Sequence, residues 1–166
     1  MDLIVSGDGY ARWGGRRFRC AIGPAGPRRD KREGDGATPV GRFVFRQVLY
    51  RPDRVPAPET RLPVRALSPE DGWCDDPADP QYNRPVRLPY PARHERLWLE
   101  DAVYDVIVVI GHNDDPPVPG LGSAVFLHVA QPDYGPTEGC VALALDDLLT
   151  VLAEAGPEDG VLVEPR

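Results

Sequence analysis

Lysine is almost missing from this 166-residue sequence: Lys31 is the only one, so arginine carries nearly all of the positive charge. Long apolar runs are missing as well. The strongest apolar segment, Val106 to Ile110, falls far short of the roughly 20 residues that a membrane-spanning helix needs. No repeat recurs at a fixed period and no stretch is low in complexity, which excludes solenoids and linker-like chains. Cysteine is sparse. Cys20, Cys74 and Cys140 are odd in number and irregularly spaced, which argues against a disulfide framework and leaves a free thiol to explain. The first ten residues carry an acid at position 2 and turn chemistry by position 7, so no signal peptide is visible.

What is present fits a folded domain. With 42% hydrophobic and 27% charged residues, the chain can bury a core and is too apolar for disorder. The length suits a single domain over residues 1–166. Charge is divided unevenly, with a net of +7 over residues 1–65 and −14 over residues 66–166. The basic residues are spread over strands and turns rather than gathered in a run, so no nucleic-acid partner is expected.

The pattern predicts a mainly β chain, a sandwich or barrel-like domain with one or two short helices. Strands are expected at residues 2–6, 10–13, 16–22, 41–50, 104–111, 123–130 and 161–164, where β-branched residues are bounded by Gly, Pro, Asn and Asp. Tyr104 to Gly111 is continuously apolar, as in a strand covered on both faces. A helix is expected over Asp146 to Ala155, with Leu148, Leu149 and Leu152 on one face, acids in the first turn and Gly156-Pro157 beyond it. A second short helix is expected at Arg93 to Glu100. Residues 51–92 hold half of the 20 prolines, so this Pro-rich insertion reads as irregular surface structure, a cap or a lid.

The segment from Phe126 to Leu143 carries the most chemistry. A strand ends on His128, a turn-rich loop follows, and Gly139-Cys140 leads into an apolar run and the helix. A nucleophilic thiol needs a base for its proton and backbone N–H groups aimed at the oxyanion it creates. His128 is the candidate base, and the amides of Gly139 and Cys140 are the candidate donors. The alternative is a small buried core cysteine and a satisfied histidine at a strand end.

The residues also carry a family resemblance. Thr137-Glu138-Gly139-Cys140-Val141 resembles the Ser/Thr-x-Gly-Cys-Val/Ile turn of YkuD-type L,D-transpeptidases. Thr38-Pro39-Val40-Gly41-Arg42-Phe43, preceded by Lys31 and Gly34-Asp35-Gly36, resembles the family's Thr-Pro-x-Gly-x-Phe element. Gly122 to His128 resembles its strand entering the catalytic histidine. The sequence departs from the usual pattern at Glu138, where His is common, at Ala142, where Arg is common, and at Val129, where Gly or Ser is common.

The resemblance implies a single catalytic domain in which Cys140 attacks the carbonyl at the L centre of a diaminopimelate residue in a peptidoglycan stem peptide. The acyl group then passes to an amine of a second stem, giving a 3-3 or a non-standard 1-3 cross-link. Passage to water instead would make the protein an L,D-carboxypeptidase of muropeptide recycling. A non-catalytic peptidoglycan-binding domain is the reading from another class. The Val129 carbonyl would orient His128, carbapenems would acylate Cys140, and neither cofactor nor metal is required. Stem carboxylates call for arginines near the groove, so Arg32, Arg84 and Arg87 are candidate contacts, with Thr137, His112 and Asn113 beside them. Basic side chains from residues 28–42 or 84–87 are expected to face Cys140. His112 is a candidate second imidazole or a plain loop histidine. The family implies the periplasm or cell envelope, and the missing signal peptide points to the cytoplasm.

Overall fold

The computed structural model describes all 166 residues. In chain order the strands are β1 (Asp2–Val5), β2 (Tyr10–Trp13), β3 (Arg16–Ala21), β4 (Pro27–Arg28), β5 (Thr38–Pro39), β6 (Gly41–Tyr50) and β7 (Val64–Ala66). They continue as β8 (Asp71–Cys74), β9 (Pro85–Arg87), β10 (His94–Arg96), β11 (Val106–Ile110), β12 (Phe126–Val129) and β13 (Val141–Leu143). Helix α1 (Leu145–Glu154) and β14 (Gly160–Val163) end the chain.

The main sheet runs β11-β12-β13-β3-β2-β1-β14-β6-β7, and β6 pairs also with β11, which closes the first eight strands into a barrel with β7 added parallel to β6. The ten-residue β6 makes closure possible: Gly41 to Val44 pair with β14, while Phe45 to Tyr50 pair with β11. Closing the ring removes the exposed edges that an open sheet of short strands would present. No helix is long and apolar enough to cross a membrane.

Two apolar clusters divide the side chains by strand parity. Val106, Val108 and Ile110 point inward with Leu127, Val129, Trp13 and Phe45, and the helix adds Leu148, Val151 and Leu152 to the same core. Ile107 and Val109 point outward into a second cluster with Phe126, Trp73, Leu97 and Tyr104. This accounts for the unbroken apolar run in β11, since both of its faces are covered.

The outer cover is more regular than the irregular cap or lid that the sequence pattern suggested. A three-stranded sheet, β10-β8-β9, lies over the β11–β12 face. The Pro-rich stretch therefore contains ordered strands. The helix expected at Arg93 to Glu100 is instead β10, paired antiparallel with β8 in the register His94↔Cys74, Glu95↔Trp73, Arg96↔Gly72. Only one helix forms, because long-range pairing outweighs the local helical preference of Arg93 to Glu100. Cys20 is buried in the barrel core, and the buried Cys74 donates its thiol proton toward Asp79 at 3.5 Å, so both pack rather than react.

Candidate active site

Cys140 and His128 come together through the pairing of two short parallel strands. β12 and β13 align with Leu127 opposite Val141 and His128 opposite Ala142. Cys140, one residue before β13, therefore lies beside Phe126, whose N–H donates to its Sγ at 3.3 Å. Alternation then puts Phe126, His128 and Cys140 on the outer barrel face. Ladder spacing separates the two Cα atoms by about 8 Å, close enough for their side chains to meet a common substrate.

Hydrogen bonding sets the protonation of each group. His128 Nδ1 lies 2.9 Å from the Val129 carbonyl, which can only accept, so Nδ1 carries the proton and Nε2 keeps its lone pair. The Val129 carbonyl thus holds the ring in place. The Cys140 thiol donates to the Ala124 carbonyl at 3.3 Å. Burial pushes the Cys140 thiol up to about 12, against the Phe126 N–H and the Lys31 charge that favour thiolate; Glu95 and Glu138 oppose it further. Burial also lowers His128, against the Val129 bond and Asp101. Both shifts favour a resting pair that is neutral thiol and neutral imidazole.

The turn before Cys140 is held against the Thr-Pro element, so the two sequence motifs form one physical unit. Thr137 Oγ1 donates to the Cys140 carbonyl at 2.7 Å and accepts from the Gly139 N–H at 3.1 Å. This corrects one expectation: the Gly139 amide is occupied by Thr137, and only the Cys140 amide is left without a partner in the protein. Gly139 has φ +132°, and a Cβ there would sit 2.8 Å from the Ala37 carbonyl oxygen and 3.3 Å from Lys31 Nζ. Only glycine fits. The buried Lys31 is fixed by Asp35 at 2.6 Å, and the same carboxylate accepts the Ala37 and Arg32 N–H groups.

Across the cleft the small sheet forms a wall. Trp73 meets Phe126 edge-on at 5.0 Å, and its indole N–H donates to Asn83 Oδ1 at 2.9 Å. That oxygen also accepts the Ala124 N–H at 3.1 Å, while Asn83 Nδ2 donates to the carbonyls of His112 (3.1 Å) and Asn113 (2.7 Å). Asn83 therefore ties the wall to Ala124, the residue that accepts the Cys140 thiol proton. Glu33 accepts from Tyr82 and Ser123 at 2.6 and 2.5 Å. Glu95 accepts from the Tyr104 hydroxyl, and the Tyr104 ring meets His128 edge-on at 5.3 Å. The sequence motifs did not mark Glu95 or Tyr104, because strand pairing across the wall brings them to the cleft.

Of these residues Glu33, Glu95, Tyr104, Ser123 and Ala124 line a cleft of about 680 Å³, together with Cys140, His128, Thr137 and Gly139. The expected arginines do not reach it. Lys31 is the one lysine or arginine on its lining, which Glu33, Asp75, Glu95 and Glu138 share. Arg84 and Arg87 are exposed on and beside β9, away from that lining. Arg32 lines a separate hollow of about 200 Å³ with His112 and Asn113, which shares only Lys31 with the cleft. His112 is thus not a second imidazole beside Cys140. Its ring packs edge-on against Phe43 at 5.2 Å, and burial pushes it down to about 4. Asn113 closes its own loop through Val118 and Gly122.

Fold and cleft together define a closed-barrel domain that carries a thiol and an imidazole on neighbouring parallel strands. The chain belongs to the YkuD family, whose L,D-transpeptidase catalytic domain model matches residues 6–163. Among solved structures it is similar to the helical cell shape determining protein Pgp2 from Campylobacter jejuni, with a TM-score of 0.47 and 12% identity over 99% of this chain and 48% of that one. The chain thus spans about half the length of that protein. A search of curated proteins returned no match.

Proposed function

We propose that this protein is a cysteine-dependent L,D-transpeptidase acting on peptidoglycan stem peptides at the cell envelope, with Cys140 as nucleophile and His128 as base. The observation that carries the reading is the bond from His128 Nδ1 to the Val129 carbonyl, which leaves Nε2 basic in the cleft that Cys140 shares. Both groups rest neutral, so proton transfer accompanies attack rather than preceding it. Cys140 Sγ adds to the carbonyl at the L centre of the donor while His128 Nε2 takes the thiol proton. The oxyanion forms beside the free Cys140 amide. Collapse breaks the C–N bond, and His128 returns the proton to the departing amine of the D-residue, leaving a thioester on Cys140.

Aminolysis of that thioester by a second stem gives the cross-link. The acidic lining and the absence of arginine from the cleft support a linkage outside the usual 3-3 register.

Incubation with purified muropeptides, resolved by mass, tests the reading. Cross-linked dimers are expected, together with a carbapenem adduct on Cys140, and Cys140→Ala should abolish both. D-alanine loss without dimers would make the protein an L,D-carboxypeptidase. Products unchanged in Cys140→Ala would overturn the assignment.

A further inference from the structure

Glu95 occupies a position that acylation does not use. β10 projects it from the wall into the cleft that Cys140 and His128 line, and one aromatic ring, Tyr104, separates it from His128. Its Oε1 accepts the Tyr104 hydroxyl, and its Oε2 has no partner within the protein. Glu95 is half-buried on the cleft lining, so this second oxygen is free to accept a hydrogen bond from a bound molecule. The surrounding charge identifies the sign of that donor. Lys31, the one lysine or arginine on the lining, is committed to Asp35, while Asp75 and Glu138 add negative charge. A free carboxylate of a ligand is disfavoured there and an ammonium is favoured.

We propose that Glu95 Oε2 receives the primary ammonium of the acyl acceptor and takes its proton, so that Glu95 decides whether the thioester goes to an amine or to water. This inference rests on the transpeptidase reading and concerns only its second half. The acceptor arrives as R–NH3⁺, and Glu95 takes one proton to leave R–NH2. The amine nitrogen adds to the thioester carbonyl, and His128 Nε2 removes a second proton as the C–N bond forms. The C–S bond then breaks, the Cys140 sulfur recovers that proton from His128, and Glu95 releases its own to solvent. Burial pushes the Glu95 carboxyl up to about 7, with Glu138, Asp75 and Glu33 raising it and the Tyr104 bond opposing them. It is thus matched to accepting a proton near neutral pH.

The test is the partition of the acyl-enzyme. Wild-type protein and Glu95→Gln are acylated with a tetrapeptide donor, then offered increasing amounts of an amine acceptor that is cationic at pH 7.5, or of hydroxylamine, which is uncharged there. Intact-mass analysis at the start shows whether Cys140 carries the acyl group. In Glu95→Gln the ratio of aminolysis to hydrolysis should fall by about 100-fold for the cationic amine. The corresponding ratio for hydroxylamine should hold, and Glu95→Asp should recover part of the loss. Equal ratios for the cationic amine in wild type and Glu95→Gln would overturn the proposal, as would a parallel fall for both nucleophiles. Should Glu95→Gln not fold, wild type and Glu95→Asp decide: an unchanged ratio of cationic to neutral aminolysis between them counts against the role. A wild-type protein that never carries an acyl group on Cys140 would instead overturn the transpeptidase reading, and the proposal with it.

Discussion

Removing the Asn83 side chain should loosen the cleft wall and the nucleophile together. Its amide makes four hydrogen bonds, to Trp73, Ala124, His112 and Asn113, and the first three are fully buried. Asn83→Ala strands two donors and two acceptors. At the low end, about 1 kcal/mol for each of the three buried groups, the loss is about 3 kcal/mol. Asn83 also sits at φ +56°, and alanine there adds about 1 kcal/mol. A loss of about 4 kcal/mol lowers the melting temperature of a domain this size by roughly 10 °C, yet leaves it folded at 25 °C when total stability is in the usual range of about 5–15 kcal/mol.

Thermal unfolding followed by circular dichroism reads the shift, and Asn83→Gly isolates the backbone part because glycine tolerates the positive φ. Since Asn83 holds Ala124, whose carbonyl accepts the Cys140 thiol, alkylation of Cys140 should quicken in the same variants. A shift of Asn83→Ala below about 3 °C would refute the claim that these bonds hold the wall in place.

Thr137→Val removes both bonds that Thr137 makes to Gly139 and Cys140, so acylation should slow by about 10- to 100-fold, and Thr137→Ser should restore most of it. Equal rates in the two variants would show that the hydroxyl does not order the turn. Burial pushes the Cys140 thiol up to about 12, so the thiolate is scarce below that pH and becomes more populated as pH rises. Iodoacetamide labelling of Cys140 should therefore stay far slower than that of a free cysteine at pH 8 and keep climbing above pH 9, since an unburied thiol titrates near about 8.5. A labelling profile with its midpoint at pH 6 to 7 would instead reveal a preformed thiolate–imidazolium pair.

The barrel was legible in the sequence because its strands announce themselves locally. Gly41 to Tyr50, Val106 to Ile110 and Phe126 to Val129 are β-branched or aromatic runs between turn residues, and parity within them sorts core from cover. Cys140 and His128 were legible because the glycine turn and the strand end are contiguous motifs. The wall was not. His94 to Arg96 has no periodicity of its own and becomes a strand only by pairing with residues about twenty positions earlier. Glu95 was hidden with it. The expectation of cleft-facing arginines failed for a related reason: net charge over a segment says nothing about which side chains turn inward. Arg42 pairs with Asp2 and Arg61 with Glu158 on the outside, while the lone lysine turns in.

That lysine has a practical consequence for work with the protein. An acyl thioester is open to any nearby amine, and the only side-chain amine in this chain is buried and paired with Asp35. Apart from the α-amine of Met1, which pairs with Asp159, the protein therefore offers almost no amine to which acyl groups could be misdirected, and side-chain labelling by amine-reactive dyes should be negligible. In a reaction mixture such dyes would report chiefly on the free amines of added peptides, so their consumption could be followed without removing the protein.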